Sequence, residues 1–172
     1  LDPQNEDTFR GHAAVLRDLK QPAEANQKLR QLAEIFVEAR KPEKATAVLR
    51  EVLENDPNAV EVRRSLVSIR RENGKLQEAV EELGRIADLL LKANDAEGAI
   101  KTRREAIAIL PDSQELRLAL VAQLRGMQRA EEANAELTAL AKHHLEKLRY
   151  DQSLTILDEL IQVTPHSVQA RR

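Results

Sequence analysis

Four prolines place the strongest constraint on this chain: Pro3, Pro57, Pro111 and Pro165 stand 54 residues apart. A fixed period of that size points to stacked copies of one supersecondary unit, each burying its apolar face on the next. The flanks keep the same phase, as "DPNAVEVRR" from Asp56, "LPDSQELRL" from Leu110 and "TPHSVQARR" from Thr164 show. In each flank Pro ends the element before it. Asn58 and Asp112 then stand three residues ahead of Glu61 and Glu115, in the order of a capping box, so these stretches read as loops feeding helices.

Within the period, small residues recur at Ala25, Ala45, Ala79, Ala99, Ala133 and Ser153, in steps that alternate 20 and 34. The apolar residues around these marks have helical spacing: Ala25, Leu29, Leu32, Ala33 and Phe36 form one stripe, and Ala45, Val48, Leu49, Val52 and Leu53 another. The pattern predicts three helices per period. A first helix falls at 5–19, 59–73 and 113–126, a long second at 22–40, 76–93 and 130–148, and a third at 43–55, 96–109 and 151–163. Pro42 reads as a helix start, Asn94 and Asp95 as cap candidates, and Asn73-Gly74 as a helix end. Turns this short make sequential helices antiparallel neighbours. Composition agrees, because the hydrophobic 42% is mostly Ala, Leu, Ile and Val, with Phe9, Phe36 and Tyr150 as the aromatic residues. The expected fold is all-α, with about nine antiparallel helices in three 54-residue periods.

The segment "LRQLAEIFVEARKPEKATAVLREVLENDP", Leu29 to Pro57, resembles the tetratricopeptide repeat (TPR) family through Leu29, Leu32, Ala33, Phe36, Ala45, Leu49, Val52 and Pro57. The 34-residue step is the length of that family's unit. The pattern returns less perfectly from Leu83 to Pro111 and from Leu137 to Pro165, where His144 replaces a large apolar residue and Ser153 an alanine. The resemblance implies a TPR-like α-solenoid over 1–172, with periods at 3–56, 57–110 and 111–164 and a further repeat starting at 165–172. It also implies a curved groove that holds a peptide, helix or protein surface, hence a scaffold or adaptor and not an enzyme. In that family the first helix of each clear unit faces the groove, here the long helices. Candidate partner-binding positions are Gln27, Arg30, Glu34 and Glu38 on the first, Glu81, Asp88 and Lys92 on the second, and Thr138, Lys142 and Glu146 on the third. They lack the Lys, Asn and Arg set with which chaperone-binding members grip a C-terminal carboxylate.

The period also exposes an anomaly. Arg103 aligns with Leu49 and Leu157, and Arg70 with Leu16 and Leu124, so the middle period places charge at core positions. Two readings stand: long stems covering apolar surface while the guanidiniums reach water, or a polar niche pairing carboxylates of a partner or internal ones such as Glu81 or Glu82. Arg71 and Arg104 thicken the positive patch and make Arg104 a further candidate, but without aromatic neighbours the set is a poor nucleic-acid signature.

Other chemistries find little in the chain. Basic and acidic residues number 27 and 29 and are mixed throughout, so no broad field attracts nucleic acid or an anionic membrane. His143 and His144 are adjacent and lack the i,i+4 placement of a helical metal pair, and His144 has a core phase that suggests half-buried packing. No metal or cofactor is expected. The five glycines form no phosphate loop, and no Ser or Thr sits beside a credible base. Two alternatives to a scaffold are a self-assembling module with end-to-end association and a regulatory segment of a larger enzyme. Leu1 in place of Met suggests an excised fragment. The expected setting is soluble, with the cytoplasm favoured over the periplasm, and 18 Arg to 9 Lys with 24 Ala suggest a bacterial source.

Overall fold

The computed structural model describes residues 3–163, and among these it forms nine α-helices and no strand. They are α1 (Pro3–Asp18), α2 (Pro22–Glu38), α3 (Pro42–Asn55), α4 (Val60–Glu72), α5 (Leu76–Lys92), α6 (Ala96–Ile109), α7 (Gln114–Gly126), α8 (Ala130–Glu146) and α9 (Tyr150–Val163). The expected further repeat at 165–172 lies outside the described residues.

The turns explain the regularity. Lys20, Arg40, Gly74, Asn94, Gln128 and Leu148 all take left-handed backbone conformations. The residue after each sends its N–H back to a carbonyl of the last helical turn: Gln21 to Leu16, Lys41 to Phe36, Lys75 to Arg70, Asp95 to Leu90, Arg129 to Leu124 and Arg149 to His144, at 2.8–2.9 Å. This Schellman closure satisfies carbonyls that a helix end leaves open. Pro22 and Pro42 then begin α2 and α3, where a missing N–H costs nothing. Asn94, a cap candidate, is the left-handed residue that closes the C-terminal end of α5. The capping expectation for Asn58 and Asp112 fails. Ala59 precedes α4 with no side-chain bond, and Ser113 caps α7 by accepting the Leu116 N–H at 3.4 Å. After Pro57 and Pro111 the cap falls one residue later than the spacing predicted, at Ala59 and Ser113.

The chain forms two compact units that divide between Asp95 and Ala96, inside the second 54-residue period. In the first unit α1 packs on α2, α2 on α3, α3 on α4 and α4 on α5. Its core holds Leu29, Leu32 and Phe36 of α2 against Val48 and Val52 of α3 and Leu66 of α4, all buried. In the second unit α6 packs on α7, α7 on α8 and α8 on α9, around Leu120, Leu124, Leu137, Leu140, Ile156 and Leu160. The small residues of the repeat, Ala25, Ala45, Ala79, Ala99, Ala133 and Ser153, have no exposed surface. Ser153 tolerates that burial because its hydroxyl donates to the Ala141 carbonyl at 3.0 Å.

Candidate functional site

In the first unit α2 and α4 both rest on α3, and two reversals of direction leave them parallel with a groove between them. The groove encloses about 300 Å³. Its floor is apolar: Ala33 and Val37 from α2, Leu49 from α3 and Ile69 from α4. Val37 keeps 41% of its surface exposed there. Arg30, Glu34 and Glu38 rim the α2 side, with Ser65, Ser68 and Glu72 on α4. Past Glu38 and Glu72 the groove continues beside Arg40, Pro42 and Asn73. Three of the predicted positions, Arg30, Glu34 and Glu38, therefore meet at one site. The helical stripe explains this, since these residues flank the Leu29–Ala33–Phe36 face that turns toward α3.

The rim charges stand apart from the ionic network of the same unit. Elsewhere carboxylates are paired across helices: Glu51 with Arg10 and Arg17, Glu6 with Lys44, and Glu43 with Lys75. The Arg30, Glu34 and Glu38 side chains have no such partner among the described residues, and Glu72 accepts only the Ser68 hydroxyl, at 3.1 Å. Charges that the fold does not use remain available to a ligand.

Arg70 is placed differently. It is 5% exposed, and its Nη1 donates to Glu82 Oε1 and to the Glu78 carbonyl, both at 3.1 Å. Arg63 reaches the other Glu82 oxygen at 2.8 Å, and Arg85 joins the first. Burial pushes the Glu82 carboxyl up, but the guanidiniums, led by the Arg63 hydrogen bond, outweigh it and hold Glu82 below the usual carboxylate range. The polar niche is thus internal, joining α4 to α5. Neither Arg103 nor Arg104 shares it. Arg103 is half-buried in the second unit, its Nε donating to Gln123 Oε1 at 2.7 Å, while Arg104 pairs with Glu132 and Glu136. The period makes Arg103 the counterpart of Leu49 and Gln123 the counterpart of Ile69. An apolar pair on the groove floor in the first unit is therefore matched by a hydrogen-bonded polar pair in the second.

Of the other predicted positions, Gln27 on α2, Glu81, Asp88 and Lys92 on α5, and Lys142 and Glu146 on α8 are exposed. Thr138 is half-buried, with its hydroxyl turned to the Asn134 carbonyl at 2.8 Å. His144 is buried beyond expectation, at 1% exposure, with neither ring nitrogen hydrogen-bonded among the described residues. Burial first, then the positive charge of Arg149, His143 and Arg117, lowers its pKa. Sequence reasoning missed the α4 wall, Ser65, Ser68, Ile69 and Glu72. The period matches Ile69 with the aliphatic Val15 and the polar Gln123, but nothing in it says which helices leave a gap.

Residues 30–88 match the tetratricopeptide repeat family model, a stretch that runs from Arg30 on one groove wall through α4 to α5. That stretch is similar to a tetratricopeptide repeat. Solved structures of tetratricopeptide-repeat and other proteins superpose at low scores. MamA from Desulfovibrio magneticus RS-1 is 13% identical with a TM-score of 0.35, over 83% of this chain and 97% of that one. YrrB, described as a TPR protein with an unusual peptide-binding site, is 16% identical at 0.35, over 91% and 95%. PilF from Pseudomonas aeruginosa is 13% identical at 0.31, over 98% and 96%. No curated protein matches the chain by sequence. Among the described residues of this repeat protein, no helix is long and apolar enough to cross a membrane and no three His, Cys, Asp or Glu gather as a metal would require.

Proposed function

We propose that this chain is a non-catalytic protein-interaction scaffold whose first unit holds a peptide, helix or protein surface in the groove between α2 and α4. Tetratricopeptide repeats are interaction scaffolds in general. The observation that supports this particular site is the coincidence of an open apolar floor, centred on Val37, with rim charges that the fold leaves unpaired. The test is selection from a random peptide display library on the immobilised protein, followed by rebinding to Ser68→Trp, which fills the groove from an exposed position, and to Glu146→Trp on α8 as a control. Loss of binding with the first variant alone supports the groove. Equal binding by both variants refutes it.

A second reading, self-association, draws on one observation. Leu145, Leu148, Tyr150 and Leu154 are 44%, 70%, 55% and 58% exposed around the turn from α8 to α9. Apolar side chains gathered in this way mark contact surfaces. Light scattering distinguishes the two readings: a mass that rises with concentration favours association, and a constant monomer mass leaves the scaffold reading alone.

A further inference from the structure

We infer that the partner segment presents a large aliphatic side chain to the groove floor and, next to it, a lysine or arginine held between Glu38 and Glu72. The inference rests on the groove reading above and names the chemistry of its occupant. Val37, Glu38, Ile69 and Glu72 line both the main groove and its continuation, so the two carboxylates stand on opposite walls of one passage with an apolar pair between them. Glu34 lies one helical turn before Glu38, about 6 Å along α2, and extends the negative wall.

The backbone adds to this field. α2 ends at Glu38 and α4 at Glu72, so the negative ends of two helix dipoles converge where the carboxylates stand. Arg30 lies a turn further from that end, and Arg40 is the basic side chain lining the continuation. Neither forms an ion pair with Glu34 or Glu38 among the described residues. An aliphatic group alone would desolvate three carboxylates that have no cation to pair with among the described residues, Glu72 keeping only its Ser68 hydrogen bond. An acidic segment would meet Glu34, Glu38 and Glu72 at close range, and like-charge juxtaposition rejects it. A cation beside an aliphatic anchor satisfies both features, with the stem of Lys or Arg lying along Val37 and Ile69.

The experiment uses three synthetic peptides of equal length labelled for fluorescence anisotropy. In the first, leucines alternate with lysines; in the second glutamates replace the lysines; in the third serines replace the leucines. The full chain is titrated with each at low and at raised salt. The first peptide is expected to bind, to weaken with salt, and to weaken about tenfold with Glu38→Gln plus Glu72→Gln; the other two bind far more weakly. Glu24→Gln plus Glu131→Gln, removing exposed carboxylates outside the groove, is expected to change nothing. Two results overturn the inference: the glutamate peptide binding as well as the lysine peptide, or the two double variants behaving alike. If the library selection returns groove-binding peptides that are neutral or acidic, the groove reading stands and the basic partner falls. If no selected peptide depends on the groove, both fall.

Discussion

His144 holds a position that the period gives to Phe36 and Leu90, and it fills that position with a ring whose two nitrogens have no hydrogen-bond partner among the described residues. An unpartnered buried polar group is destabilising by about 1–3 kcal/mol, so His144→Leu is expected to raise the melting temperature. The pH response follows from the direction of the pKa. Because the folded form holds the ring's pKa below that of the unfolded chain, the unfolded chain binds more protons below about pH 6.5. Stability is therefore full above that pH and falls as the solution is acidified through it. In the leucine variant this decline should disappear, leaving one at lower pH where Glu82 and Asp112, both with depressed pKa values, take up protons. Urea titrations of both proteins from pH 7.5 to about 5 check this; a parallel decline in the two would show that His144 does not control it. The sequence placed His144 in the core phase, but its missing hydrogen bonds depend on neighbours from other helices, which no local pattern encodes.

At the scale of elements the turns and one ion cluster carry the account. Five of the six left-handed turn residues are not glycine, although such a residue is held there at about 1–2 kcal/mol. Leu148, at φ 58° and 70% exposed, is the least suited. Leu148→Gly should stabilise by about 1 kcal/mol once the glycine entropy is included, and Gly74→Ala, with open space around its Cβ but φ +71°, should lose a similar amount. Thermal unfolding reads both. Helix positions were legible because Pro, Ala and apolar spacing repeat with the fold. Four of the six turns were not, since only Gly74 and Asn94 announce a left-handed backbone by residue type. Between α4 and α5, Glu82 binds three guanidiniums, of which Arg70 is one, and Arg70 also bonds to Glu78. Glu82→Leu, which takes the carboxylate from Arg63, Arg70 and Arg85 together and leaves Arg70 with Glu78 alone, should therefore be destabilising by about 3 kcal/mol or more, against about 1 kcal/mol for Arg70→Leu. Equal losses by denaturant titration would mean that the cluster is not organised around Glu82. The alignment of Arg70 with Leu16 and Leu124 revealed an anomaly at this position, while its partner became evident only when α4 and α5 came together.

For the molecule as a whole, repeat chemistry supplies a frame and the departures from the repeat supply individuality. The apolar Leu49 and Ile69 of the first unit and the polar Arg103 and Gln123 of the second occupy matching positions. One period can thus offer an apolar floor where the next offers a closed polar contact. Half of the groove could be read in advance, because the exposed face of α2 follows from its stripe. The α4 wall could not, because a gap between helices is a property of how they rest on α3. The most direct measurement is amide chemical-shift mapping of the labelled chain during titration with a selected peptide. Docking in the groove predicts shifts concentrated at residues 30–38 and 65–72, and saturable binding. Shifts confined to the α8–α9 turn, with residues 30–38 and 65–72 unmoved, would contradict it.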